Sequence, residues 1–220
     1  MLLLAIDTST NMLSLALMEG EAIICEHNEV TKNNQSAILM TRIEEMLIQK
    51  GYKAKDISKI AVATGPGSYT GIRVGVTAAK SLGYGLKVPV IGVSSLEIMA
   101  HAAAHEGEIL ALVDARRGTV FAGGYEKGTT VIPDSHYNLV ELITKTSSAP
   151  SLIISDKSDV HKEIIDTYLP KVTLINETEL SSKKATALAH LAKNREGVAN
   201  IHQLIPNYLR KTEAEVNAGV

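Results

Sequence analysis

"LAIDTSTNMLSLAL", residues 4–17, and "ALVDARRGTVFAGGY", residues 111–125, decide the fold when one is set over the other. With Asp7 placed on Asp114, each reads as a small-and-aliphatic run, an aspartate, a short polar turn and a second apolar segment. An apolar run that stops at a polar turn and then resumes is the pattern of paired strands. The two stretches share few identical residues. What they share is the order of elements that follows each.

Working outward from the first stretch, residues 2–6 and 12–18 read as strands, and Glu19-Gly20-Glu21 turns the chain into a third strand, 22–27. Such short connections make the three antiparallel. A helix follows over 36–50, with Ser36 placed to cap its start and Gly51 to end it. Then come a strand at 58–64, a helix at 70–86, a strand at 88–93 and a helix at 95–105. The second stretch is followed by a strand at 129–132, a helix at 138–145, a strand at 152–155, a helix at 159–168, a strand at 172–175 and a helix at 182–194. Three antiparallel strands and then helix, strand, helix, strand, helix is the ribonuclease-H-like order. Its duplication predicts an α/β fold of the actin/sugar-kinase (ASKHA) class with two lobes, residues 1–105 and 106–220. The segment QLIPNYLRKTEAE, residues 203–215, is expected to lie back across a lobe.

Composition narrows the function. The 220 residues carry a formal net charge of −2, with 45% hydrophobic and 21% charged residues, which suits a soluble chain with a sizeable core. No basic field of the kind a free-standing nucleic-acid binder needs is present. The single cysteine, Cys25, precludes an internal disulfide and points to the cytoplasm; within Ala22-Ile23-Ile24-Cys25 it reads as a small buried hydrophobe. The opening MLLLAIDTST lacks a basic flank and meets Asp7 too early for a signal peptide or a membrane span.

"TGPGSYTGIRVG", residues 64–75, looks like a phosphate loop and fails as one. A Walker loop needs a lysine after its last glycine, and Ile72 stands there. The dinucleotide fingerprint starts at Gly65 and Gly67 but has Thr70 in its third glycine position, and Pro66 lacks an N–H. The following helix offers free N–H groups, either to an anion or to a cap from Ser68 or Thr70. Along that helix Gly71 and Gly75 are four apart, and Ala78, Ala79 and Leu82 extend the stripe. An interior glycine costs about 1 kcal/mol relative to alanine, so another backbone should approach closely, that of the protein's own sheet or of a partner. In helix 36–50, Leu39, Ile43 and Met46 share a face that Met40 and Leu47 widen, more apolar surface than one sheet requires. With Val74, these residues of the two helices form the candidate interface.

Asp7 and Asp114 end the first strand of each half. Two readings fit: carboxylates that handle metal-bound phosphate in an interlobe cleft, which makes them the candidate cofactor-binding residues, or caps of the turns that follow. His101 and His105 have the i, i+4 spacing of metal ligands but no third ligand nearby, so no metal site is assigned. Arg116-Arg117-Gly118 is an exposed turn or an anion or RNA contact. No catalytic constellation can be assembled.

Five segments, LAIDTST, GPGSYTGIRVG, VPVIGVSSLE, DARRGTVFAGGY and PNYLRKTEAE, together resemble the bacterial TsaB (YeaZ) family across residues 2 to about 215. The resemblance implies the actin/sugar-kinase fold and a part in making threonylcarbamoyladenosine in tRNA, at the adenosine 3′ to the anticodon. It implies a scaffold rather than an enzyme: a paralogue that binds the transferase TsaD, helps recruit the ATPase TsaE and forms a homodimer when alone. Contact with tRNA, and any nucleotide, would come only within the complex. TsaD-like chains carry a His-x-Glu-Gly-His metal motif after a strand like Pro89–Val93. Here Ser95 and Met99 stand for the histidines and Ile98 for the glycine, while Glu97 survives. Helices 36–50 and 70–85 are the interface the resemblance implies. Gln35 replaces a histidine common in relatives. The competing readings are an autonomous ATP-dependent kinase-like enzyme and, less compatible with the missing ligands, a metalloprotease.

Overall fold

The structure, a computed structural model, describes residues 1–31, 34–145, 150–198 and 200–209. Strands β1 (Leu2–Asp7), β2 (Met12–Glu19) and β3 (Ala22–Val30) form an antiparallel meander, followed by α1 (Gln35–Gln49), β4 (Ile57–Ala63), α2 (Tyr69–Leu86), β5 (Val90–Val93) and α3 (Ser95–Ala102). The second half repeats the plan: β6 (Ile109–Asp114), β7 (Thr119–Glu126), β8 (Thr129–Asn138), α4 (Leu139–Lys145), β9 (Leu152–Ser155), α5 (Ser158–Tyr168), β10 (Thr173–Asn176) and α6 (Lys184–Ala192). The strand orders are β3-β2-β1-β4-β5 and β8-β7-β6-β9-β10, the same order twice.

Three boundaries differ from the sequence reading. β8 runs six residues past 132, because Ser135, His136 and Tyr137 pair with Ala122, Phe121 and Val120 beyond an irregular register. Its polar composition hid this extension. α3 stops at Ala102, and Ala104 turns left-handed. Before α6, residues Glu177–Lys183 form a 3₁₀ helix started by an Asn176/Glu179 capping box.

Both sheets are covered on both faces, and strand alternation shows how. Leu2, Leu4, Ile6, Leu13, Leu15 and Leu17 turn outward against Leu39, Ile43 and Met46 of α1 and Ile72, Val76 and Ala79 of α2. Leu3, Ala5, Ala16, Met18, Ala61 and Ala63 turn the other way, into the centre. In the second sheet, Leu110, Leu112, Val120 and Ile153 face α4 and α5, while Ala111, Val113 and Ile154 face the centre. The central layer is α3 and α6, rich in alanine, packed on each other. Small residues on both sides let two sheets close on a single helix layer.

That layer is exchanged between the halves. α3, from the first half, packs on β6 and β7 of the second sheet; α6, from the second half, packs on β1 and β2 of the first. The chain then returns along the first sheet: Val198 N–H donates to Val90 C=O, Leu204 joins the outer core, and Asn207 N–H donates to Thr64 C=O. The last part of the returning segment expected from the sequence, from Arg210, lies outside the described residues. Among the described residues no helix is long and apolar enough to cross a membrane. Cys25 is half-buried on β3 rather than enclosed, with Sγ 3.5 Å from Gln49 Oε1.

Candidate functional site

The glycine loop binds the protein itself. Ser68 N–H donates to Ser9 C=O at 2.7 Å, Ser95 N–H to Gly65 C=O at 2.8 Å, and the Ser68 hydroxyl caps α2 by accepting from Gly71 N–H at 3.2 Å. Of the two capping candidates it is Ser68 that does so. The Ser68 and Gly71 N–H groups are thereby engaged within the protein.

The same contacts locate the glycine stripe. Thr8 Oγ1 donates to Gly71 C=O at 2.7 Å, in a seat where a Cβ on Gly71 would strike Thr8 O and one on Gly75 would strike Thr8 Oγ1. The close approach that these glycines serve is to Thr8, in the turn directly after the protein's own first strand. This corrects part of the interface read from the sequence. Gly71, Gly75 and Ala79 face inward, and Leu39, Ile43, Met46 and Leu47 are core residues no more than 4% exposed. Met40, Val74, Ala78 and Leu82 remain reachable from outside.

Met40, Val74 and Ala78 border a groove between α1 and α2 of about 640 Å³, lined also by Leu39, Tyr69 and, as its charged member among the described residues, Arg73. Met40 is 47% exposed and Tyr69 50%.

The strand-end aspartates behave alike at first. Asp7 Oδ1 accepts from Ser9 N–H at 2.8 Å, and Asp114 Oδ1 from Arg116 N–H at 3.1 Å, so both cap the turn that follows. The Arg116-Arg117-Gly118 turn is exposed and left-handed throughout. Asp7 then departs from the pattern. Its Oδ2 lies 3.5 Å from Lys184 Nζ, which also donates to Glu177 Oε1 at 2.5 Å, and all three residues are buried. Burial pulls the Lys184 pKa down, but Asp7 and Glu177 outweigh it and hold the ammonium above its usual value.

Across the junction Asp114 N–H donates to Asp156 Oδ1 at 2.8 Å. Burial, reinforced by Glu177 and Asp114, pushes the Asp156 carboxyl up to about 6 against the opposing hydrogen bond. His161 Nδ1 lies 2.8 Å from Ser155 Oγ and Nε2 3.6 Å from Asp114 Oδ1; burial lowers its pKa, with Asp114 opposing. The open space left among Ser68, Ser95, Asp114, Asp156 and Glu177 is about 140 Å³. Ser95 and Met99, at the histidine positions of the metal motif, line it. Glu97 instead forms a two-pronged ion pair with Arg195. His105 Nε2 lies 2.7 Å from Ser151 Oγ.

Sequence reasoning did not find Lys184, Glu177, Asp156 or His161. Lys184 carried one signal: it opens an alanine-rich helix on the same face as Leu188, where a charge must be paired inside.

Residues 27–218 match the family model for TsaD, tRNA N6-adenosine threonylcarbamoyltransferase. The tRNA threonylcarbamoyladenosine biosynthesis protein TsaB of Bacillus subtilis (strain 168) is 37% identical over 222 residues, which span 98% of this chain and 96% of that protein. The chain belongs to the TsaB family. TsaB of Escherichia coli (strain K12) is 35% identical over 130 residues, 58% of this chain and 56% of its own. Among solved structures, YeaZ from Pseudomonas aeruginosa superposes with a TM-score of 0.76 at 25% identity, covering 94% of this chain and 99% of its own. The ROK hexokinase of Thermus thermophilus, at 11% identity and a TM-score of 0.52, covers 88% of this chain and 100% of its own and shows the shared sugar-kinase fold alone. The actin/sugar-kinase class expected from the repeat is thus the fold of this TsaB-family chain.

Proposed function

We propose that this TsaB-family chain is a non-catalytic subunit of the machinery that places a threonylcarbamoyl group on tRNA. It docks on a TsaD-type transferase through the outer side of α1 and α2. The observation that carries this reading is the groove between those helices, where Met40, Tyr69, Val74 and Ala78 present apolar surface around one guanidinium. An amphipathic helix laid in such a groove is a common recognition mode. The lobe of residues 1–105 is then the docking lobe. The same surface serves a homodimer when the transferase is absent, and TsaE and tRNA are met in the assembled cytoplasmic complex.

The interlobe junction supports the non-catalytic part. Small-molecule pockets run from about 300 Å³ upward, whereas the space here is about 140 Å³. Lys184 neutralises Asp7, one of the two carboxylates that a metal-bound phosphate would need.

Size-exclusion of the chain with the transferase subunit tests the docking. A complex with the wild type and none with Ala78→Glu, at unchanged thermal stability, is the expected result. A complex indifferent to Ala78→Glu would remove α2 from the interface. A tRNA modification assay omitting each subunit in turn then tests the role. Tight calorimetric binding of magnesium ATP to the isolated chain would favour the kinase-like alternative.

A further inference from the structure

The groove between α1 and α2 carries a preassembled charge. Arg73 projects from the exposed side of α2, and its Cζ stands 3.9 Å above the Tyr69 ring centroid and 5.8 Å from that of Tyr208. Its Nε–H donates to Tyr208 Oη at 2.8 Å, and the two tyrosine rings lie 5.9 Å apart, tilted by 39°. Tyr208 belongs to the returning segment, which is tied down independently. Lys80 Nζ donates to the carbonyls of His202 and Leu204 at 3.2 and 2.9 Å, Asn207 N–H holds Thr64 C=O at 2.7 Å, and Leu204 is buried. Residues far apart in sequence therefore fix one side chain in place.

An exposed arginine normally gives up much rotamer freedom to bind anything. Here that loss is already incurred in the free protein. The Nε edge and one face of the guanidinium are used, while the two terminal nitrogens meet no carboxylate among the described residues. Those nitrogens keep the planar fork that matches a carboxylate in two parallel hydrogen bonds. Among the described residues Arg73 is also the sole charged side chain lining an otherwise apolar and hydroxyl-bearing groove, so the complementary ligand is an apolar surface with one negative charge.

We infer that Arg73, clamped by Tyr69 and Tyr208, is the charged anchor of the docking groove and receives a carboxylate from an apolar helix of the transferase subunit. This rests on the docking reading of the groove and adds to it a partner chemistry and a role for the returning segment. Arginine and tyrosine held near the centre of an apolar contact are the residue types that dominate binding energy. The clamp explains why a strap from residues 202–208 runs over α2 at all: it completes the binding face.

Isothermal titration of the TsaD-type subunit into the full chain, repeated at several salt concentrations, tests the inference. Arg73→Gln should weaken binding roughly 30-fold and flatten the salt dependence. Arg73→Lys, which keeps the charge and loses the fork, should recover little of it. Tyr208→Phe, which loses only the hydroxyl acceptor, should weaken binding several-fold, and its effect should vanish in the Arg73→Gln background. Melting temperatures of all three should match the wild type. If wild type binds and Ala78→Glu does not, yet Arg73→Gln binds as wild type with the same salt slope, docking stands and the anchor falls. If wild type shows no binding, both fall. If the Arg73 variants alter only self-association in sedimentation, the occupant is a second copy of this chain and the assignment of a transferase carboxylate is overturned.

Discussion

Lys184 Nζ, at the start of the last α-helix, lies 3.5 Å from Asp7 Oδ2, at the end of the first strand, with both side chains 2% exposed. An ammonium buried so deeply is tolerable only with carboxylates beside it, and Glu177 completes the set. The three residues come from β1, the 3₁₀ helix and α6, so the ion cluster joins the first sheet to the segment that crosses back from the second.

Removing one member should cost far more than the cluster as a whole contributes. Lys184→Met leaves two buried carboxylates unpaired and should lower stability by about 3–5 kcal/mol in denaturant unfolding. Adding Asp7→Asn and Glu177→Gln to it should recover most of the loss. A triple variant as unstable as the single one would refute the electrostatic account. The ammonium is held above its usual pKa, so its contribution is present at neutral pH and is lost only in strong alkali.

Glycine 75 gives a prediction opposite to the one its sequence context invites. A leucine there would collide with Thr8 and Val62 inside the monomer. Gly75→Leu should cut the melting temperature or abolish folding, since overpacking against the Thr8 and Val62 side chains costs about 1–3 kcal/mol or more. A soluble, wild-type-stable Gly75→Leu chain would contradict the inward placement.

Ser68→Ala removes the cap on α2. The expected loss is about 1 kcal/mol of stability in urea. Magnesium ATP calorimetry should be the same for both proteins; a nucleotide signal that depended on Ser68 would return the loop to the phosphate-binding class.

Asp156 sets a pH dependence. Its folded pKa of about 6 lies above the ordinary carboxylate value, so the protonated form is favoured by the fold. Its stabilising contribution is therefore full below about pH 4 and lost as pH rises through 6. Asp156→Asn keeps an oxygen to accept from Asp114 N–H and removes the charge. The variant should be more stable than wild type at pH 7.5, by about 1–3 kcal/mol, and equal to it near pH 4. Parallel stability–pH curves would rule this out.

The fold was legible because the sequence writes it twice. The apolar runs ending at Asp7 and Asp114 and the order of later elements survive divergence, since strand and helix periodicity need only residue class. The site was legible in part. The departures of TGPGSYTGIRVG from a phosphate motif stand in Ile72 and Thr70, and its cap could be narrowed to Ser68 or Thr70, of which Ser68 does the capping. Which way Gly71 and Gly75 face was not, because a stripe of small residues looks the same whether it admits a strand or a partner helix. The Lys184 cluster was hidden for a different reason: Asp7 stands 170 residues before Glu177 and 177 before Lys184, and only the packing of α6 on the first sheet brings them together. Arg73 stood in plain view, but its clamp depends on Tyr208, which no local pattern connects to α2.

The exchanged helices also bear on synthesis. A ribosome releases β1 through α3 long before α6, yet the inner faces of β1 and β2, with Leu3, Ala5, Ala16 and Met18, are covered by α6. Until residue 192 emerges, that sheet face lacks the helix that packs on it, and Asp7 lacks the Lys184 ammonium. The helix made last thus completes the sheet made first.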